Sequence, residues 1–600
     1  MNVNLKRIPE RHEIPVEDTW DLSSLFPSDE AWGKALGEYE KMTEKLSSFK
    51  GTLARSAESL AGWMDFSQNH DILIERLHAY AHALWCEDER CDEAFAMMES
   101  CEAAYANSQA SCAWAKPELL AIPEADIAKF LEHPRLAGYR VYIGRILRLR
   151  PHTLSEEGER IVALYEGAAE AFENTRLMLV NVDMNVDLGS IETGDGEIEL
   201  GKDVNWRKLM RESPDRDIRR KIYEKDSLRW ESIKTTLAGY RAAAVKLDVI
   251  RARACGFPSA RAAELFPDNI GEDIYDNLIA TVGENLDPVH RYHGLCKRTL
   301  GLSDLRAYDL HVPLVGTVKR KTTWDEAVGL LCDALRPLGG EYVSTLCAGL
   351  LGRWADRYAN QGKANRLSCF TNYGNDPRII IQYNEEVLDH IGCLAHESAH
   401  AMHHCYGSRS NPFRHYRESD LEGETAAFFH EELLFRHMMK TAGDDKELRL
   451  HILSDRVGVI RHMLYIHTMY AEFAHIAHRL EEDGVPLTLD IQRSEYNKLL
   501  AKYRGSEFVV DANDQISHYH TRFGLYAYAT GICAAMALAD RVLGGGESER
   551  ADYLAFLKSG GSRFPIDALK IAGVDMSKPE PIQAACRAFA ELVDELERLL

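Results

Sequence analysis

The stretch Cys393–Cys405, CLAHESAHAMHHC, constrains this chain more than any other. Within it lies His396-Glu397-Ser398-Ala399-His400, an HExxH pattern. On a helix, residues four apart share a face with Cβ atoms about 5–6 Å apart. Two imidazoles so placed can bind one metal ion at about 2.0–2.1 Å each. Glu397 lies one step round the helix, where its carboxylate can reach a metal-bound water without being a ligand. The pattern therefore demands a helix here, and a second element opposite it to complete the site.

The surrounding sequence is compatible with that helix. Val387 to Ala395 reads as helical, and no breaker follows before Tyr406-Gly407. Cys393 and Cys405 flank the motif, but twelve residues of helix separate them by about 18 Å. They cannot share one ion and read as small buried side chains.

A catalytic zinc takes three protein ligands and leaves one position open. The candidates for the third are His403, His404, His415 and the acids of Asp420-Leu421-Glu422-Gly423-Glu424. Three ligands from one straight helix would strain a tetrahedron, so a crossing helix is the easier source. Glu424 starts such a helix and is the preferred ligand. Glu431, seven residues on, returns to the same face and is placed to orient a ligating histidine. For Glu431 and for His403, plain packing is an equally good reading. Twenty-three residues separate His400 from Glu424. No Gly and His stand where an HExxHxxGxxH pattern needs them.

The chain has 600 residues, more than one ordinary domain needs. Its net charge of −23 repels phosphate backbones, so nucleic acid is not an expected partner. The N-terminus lacks the apolar core of a signal peptide, and no apolar run approaches the roughly 18 residues of a membrane span. Tyr526–Ala539 comes nearest and suits a buried helix. Thirteen cysteines without regular spacing fit reduced thiols in a cytoplasmic protein.

Residues 1–22 read as an extended arm. Ser28 caps a helix with an apolar stripe of Trp32, Leu36, Tyr39, Met42 and Leu46. Further helical patterns run at about 56–90, 92–115, 124–133, 137–149 and 155–180. Val180 to Lys202 alternates and carries glycines, which predicts a β-hairpin. It is taken as the boundary between an N-terminal helical domain, 1–200, and a catalytic domain, 201–600. Arg219-Arg220-Lys221 reads as a solvated helix face. Arg378 to Tyr383 reads as a strand just before the motif helix, either an ordinary strand or one that pairs with an extended peptide.

These residues resemble the thimet oligopeptidase family of zinc metallopeptidases, and within it the oligoendopeptidase F group. Glu424 stands where that family's third zinc ligand stands. The likeness extends to the loop at Gly362-Lys363 and to Asp309–Leu314. It also includes Lys558–Pro565 and Ala572–Met576. It covers most of the chain, the N-terminal domain only loosely. Ala399 replaces a usual glycine and Ser398 a usual apolar residue.

The resemblance implies a mainly α fold: a large two-part helical bundle enclosing a deep substrate channel, with a small β-sheet near the active site. It implies one zinc ion, oligopeptide substrates and no membrane partner. It also gives meaning to His518–Gly531. A histidine and one or two tyrosines of that block donate to the developing oxyanion in the family, and they map onto His518, Tyr526 and Tyr528. Without the resemblance these would read as core or wall aromatics. The expected activity is endopeptidase hydrolysis with Glu397 as general base. A carboxypeptidase or dipeptidyl carboxypeptidase is the alternative, with Arg522 or Arg563 to hold a terminal carboxylate. A non-catalytic peptide-binding scaffold is the remote one.

Overall fold

The computed structural model describes residues 7–600 apart from 156, 160, 163–171, 173–174, 177, 185–186, 195, 202–205, 207–208, 211–212, 311, 313, 315–319 and 511–521. It is mainly helical. Among the described residues the strands form one two-stranded hairpin and one three-stranded sheet.

The chain divides into two compact units that interleave along the sequence. The first comprises Met1–Glu156, Lys319–Met438 and Leu538–Val574; the second comprises Glu157–Val318, Met439–Ala537 and Asp575–Leu600. This differs from a single boundary at residue 200. The middle third of the chain packs back on the N-terminal helices, and local composition carries no trace of that return.

In the first unit the helices Asp29–Leu46, Ala57–Glu87 and Asp92–Cys112 pack on one another. Ser28 caps the first by accepting from Ala31 N–H. Trp32 and Tyr39 of its stripe are buried with Leu77 and Tyr80 of the second helix. The N-terminal arm is tied down rather than free. Asp21 N–H donates to Arg353 O, Arg357 N–H to Asp18 O and Gln361 N–H to Pro9 O, at 2.8–3.0 Å. A charge cluster, buried at Asp356 and Lys363 and half-buried at Arg11 and Glu87, fixes the same region. Arg11 pairs with Glu87 at 2.8 Å and Asp356 at 2.6 Å, while Lys363 pairs with Asp356 at 2.5 Å. Lys363 also donates to the carbonyls of Asp356, Tyr358 and Ile381. This accounts structurally for the Gly362-Lys363 loop.

Strands β1 (Ser190–Thr193) and β2 (Gly196–Glu199) form a hairpin in the second unit, shorter than the Val180–Lys202 expected, because Leu179–Asp183 is a π-helical turn. The three-stranded sheet of the first unit comprises β3 (Ala355–Asp356), β4 (Ser368–Phe370) and β5 (Arg378–Ile380), in the order β3-β5-β4. β5 is the central strand, parallel to β3 and antiparallel to β4, so both its edges are already paired. A peptide cannot add to it; β4 is the edge strand on the side of the motif helix.

Two other expectations change. Arg219 is buried and donates to Asp309 at 2.9 Å, which also holds Arg216. Only Arg220 and Lys221 form the solvated face, paired with Asp217 and Glu224. Helix Phe523–Gly544 is long and apolar enough to cross a membrane, because its alanines keep the average apolar beyond Ala539. Most of it is buried, as in the core helix of a folded protein.

Candidate metal centre

The motif helix runs His390–Ser410. Alanines 395, 399 and 401 favour it and no proline interrupts it. It stops where Asn411 turns extended before Pro412. Leu394 and Met402 are fully buried, each worth about 1.5–3 kcal/mol. Ala399 is buried within the unbroken helix, which accommodates its methyl.

The second helix, Asp420–Thr441, begins four residues before Glu424. Ser419 opens it: its N–H and hydroxyl both donate to Glu422, at 3.1 and 2.9 Å. Glu422 is thus a capping acid and not a ligand. The turn between the two helices lies on Gly560 and Gly561. A Cβ on Gly560 would stand 2.7 Å from the carbonyl oxygens of His415 and Tyr416, and one on Gly561 would stand 2.3 Å from Arg417 O. Only glycine allows that approach, which explains the Lys558–Pro565 block.

The two helices bring together His396, His400 and Glu424. Their ligand atoms all lie within 4.8 Å of one another, the one such trio among the described residues. His396 Nε2 is 3.3 Å from His400 Nε2 and 3.6 Å from Glu424 Oε2. His396 Nδ1 is 2.8 Å from Glu431 Oε1. That bond puts the proton on Nδ1 and turns the Nε2 lone pair toward the trio.

Electrostatics mark the site as built for a cation. Burial opposes a charge on His396, but Glu431, Glu424 and Glu397 outweigh it and raise its pKa to about 9. Burial, with the His396 imidazole beside it, brings His400 down to about 3. Burial lifts both Glu397 and Glu424 to about 7; His396 opposes this and neighbouring carboxylates add to it. Glu397 Oε2 and Glu424 Oε2 are buried with no hydrogen-bond donor among the described residues. Two imidazoles and a carboxylate with orphaned oxygens fit a divalent ion of the zinc type.

The remaining histidines have other work. His403 is fully buried 5.3 Å from the Phe556 ring, and neither of its nitrogens is hydrogen-bonded among the described residues, so packing accounts for it. His404 and His415 bond the carbonyls of Asn375 and Gly138. Sequence reading missed a buried relay beneath the motif. Tyr342 OH donates to His430 Nε2 at 2.6 Å, His430 Nδ1–H to Ser398 Oγ at 3.1 Å, and Ser398 to Ala395 O at 2.7 Å. Burial pushes His430 down to about 3, so it serves as a neutral link. Ser398 in place of an apolar residue was the available signal.

His518 lies outside the described residues. Tyr526 and Tyr528 belong to the second unit and face different neighbours. Tyr526 is buried 5.5 Å from the Tyr275 ring, and Tyr528 stands 5.0 Å from the His467 ring.

Comparison with known proteins identifies the family. Residues 209–588 match the family model described as Peptidase family M3, and residues 118–185 match one described as Oligopeptidase F. Fold and sequence together define a mainly helical peptidase. The chain belongs to Peptidase family M3. It is 35% identical to Oligopeptidase PepF of Bacillus subtilis over 603 residues, covering 99% of this chain and 89% of that protein. It is 29% identical to Group B oligopeptidase PepB of Streptococcus agalactiae, covering 100% and 99%. The crystal structure of oligoendopeptidase-F from Enterococcus faecium is similar, with a TM-score of 0.76 and 27% identity over 95% of this chain and 99% of that one. The likeness thus takes in the N-terminal region as well.

Proposed function

We propose that this peptidase is a zinc-dependent endopeptidase acting on short oligopeptides. The observation that carries the proposal is the convergence of His396, His400 and Glu424 beside Glu397, whose buried Oε2 has no donor among the described residues. A zinc ion held there would polarise the scissile carbonyl and acidify a water. Glu397 takes the proton of the attacking water and delivers it to the leaving amine. Its buried position and its pKa near 7 suit a group that must both accept and return a proton. Glu431 keeps His396 in the ligating tautomer. The open edge of β4 supports binding of an extended peptide, since Cys369 on that strand lies near enough to Glu397 to feel its charge. The family likeness supports His518 and Tyr528 as donors to the oxyanion, with Tyr526 against substrate. The relatives' names as oligopeptidases support short substrates. Thirteen cysteines, none of them in a disulfide, support a reducing cytoplasmic setting.

Quenched peptides of graded length, with chelator and with added zinc, test this. Turnover should vanish with chelator, return with zinc and be absent in Glu397→Gln. Equal cleavage of long folded proteins would overturn the oligopeptide preference. Loss of cleavage on amidating the peptide's C-terminus would favour a carboxypeptidase instead.

A further inference from the structure

Two arginines in the second unit are buried without a counter-ion among the described residues. Arg461 opens the π-helical stretch Arg461–Ile466, and Arg504 closes the helix Leu489–Arg504. Their exposures are 6% and 8%. Three of their nitrogens, Arg461 Nε and Arg504 Nε and Nη1, are sealed from solvent and have no acceptor among the described residues. The two charges are neighbours. After burial itself, Arg461 is the strongest influence on Arg504, and together they bring it down to about 10, where it is still cationic at neutral pH.

Among the described residues, those whose charges bear on Arg504 include no carboxylate: they are Arg461, Tyr496 and Tyr470. His293, fully buried on the helix Asp287–Thr299, donates Nδ1–H to the Arg504 carbonyl at 2.8 Å, and burial with the two arginines holds it neutral. Burial raises the phenols of Tyr292 and Tyr470 and pushes the Cys296 thiol up to about 11. Tyr470 is also tied to the Tyr496 hydroxyl. The Phe508 ring lies 4.5 Å from the Arg504 guanidinium carbon and closes that side. Three other buried arginines of this chain do pair with an acid: Arg219 with Asp309, Arg357 with Asp18 and Arg261 with Asp276.

An uncompensated buried charge costs several kcal/mol, and two adjacent like charges cost more. A water could accept the orphaned N–H groups but would leave both charges in place. We propose that Arg461 and Arg504 bind one small monovalent anion of the halide class, chloride under cellular conditions, as a structural ion of the second unit. The orphaned groups are all N–H donors, which is what a halide needs. Three such nitrogens would leave most oxygens of a tetrahedral oxyanion bare among tyrosines, phenylalanine and a neutral histidine.

The test is thermal unfolding of the full chain at constant ionic strength, with sodium chloride replaced stepwise by sodium gluconate. The midpoint should rise saturably by about 1–3 °C with chloride. Bromide should substitute, sulfate should not, and Arg504→Gln should lose the dependence. Should that variant not fold, crystals of the unaltered protein grown with bromide decide. An anomalous peak within hydrogen-bonding range of both guanidiniums is expected. Equal midpoints in chloride and gluconate with no such peak would overturn the proposal, as would sulfate matching chloride. The readout needs no turnover, so it stands or falls apart from the peptidase reading.

Discussion

Glu431 Oε1 lies 2.8 Å from His396 Nδ1, while the other nitrogen of the same ring turns to His400 and Glu424. One carboxylate thereby sets which nitrogen of His396 is free to ligate. Acids in this position commonly govern metal affinity by tenfold to a hundredfold. Glu431→Ala should weaken zinc binding by about that factor, and Glu431→Gln by less, because an amide oxygen can still accept from Nδ1–H. Competition with a chromophoric chelator measures it. Equal affinity in Glu431→Ala and the unaltered protein would remove Glu431 from this role.

The turn that joins the two ligand helices depends on Gly560, which has φ +45° and no room for a Cβ beside His415 O and Tyr416 O. Gly560→Ala should destabilise the first unit by about 2–4 kcal/mol, combining backbone strain with a forced shift of that turn. Zinc affinity should fall with it, since the turn sets where Glu424 meets His396. Unfolding by denaturant and chelator competition on the same variant should move together. A stable variant with weakened zinc would show that strain is absorbed at the site alone.

The relay of Tyr342, His430 and Ser398 ties the second helix to the motif helix through groups fully removed from water. Ser398→Ala would take the hydroxyl acceptor from the His430 Nδ1–H and leave it only the Ala395 carbonyl, at a cost of about 1 kcal/mol. Replacing His430 with leucine as well removes that donor. A double-mutant cycle should therefore give a coupling of about 0.5–3 kcal/mol between the two sites. Additive effects would mean that the bond contributes nothing beyond packing.

Helical period makes the heart of the site legible in sequence. His396 and His400 fall on one helical stripe and Glu424 and Glu431 on another, which makes each pair legible; that the two stripes meet is seen in the contacts of His396 with Glu424 and Glu431. What spacing cannot reach is contact between distant segments. Asp309 makes Arg219 a buried anchor instead of a surface charge. Arg11, Glu87, Asp356 and Lys363 come from four separate places to form one charge cluster. β5 reads as a strand from its isoleucines, but its central place follows from β3 and β4, which are too short to show a pattern. The interleaving of the two units is illegible for the same reason.

His82 offers a pH test away from the metal centre. Its Nε2 is 3.3 Å from Arg366 Nη1, which donates to it, and its ring stands 4.8 Å from Phe370 and 5.4 Å from His78. Burial, with His78 and Arg366 adding to it, lowers its pKa to about 4 from the usual 6.5. In the unfolded chain the ring takes up a proton near 6.5; in the folded one it resists until about 4. Its contribution is therefore complete above pH 6.5 and is lost as pH falls toward 4. One pKa unit corresponds to about 1.4 kcal/mol, and the ring's partial exposure reduces the total to about 1–2 kcal/mol. His82→Gln keeps an acceptor for Arg366 but cannot be protonated. Stripped of metal, the variant should lose less stability than the unaltered protein between pH 7.5 and 4.5, with the two closest in slope above 6.5. Parallel losses across the whole range would mean that His82 titrates normally in the folded chain.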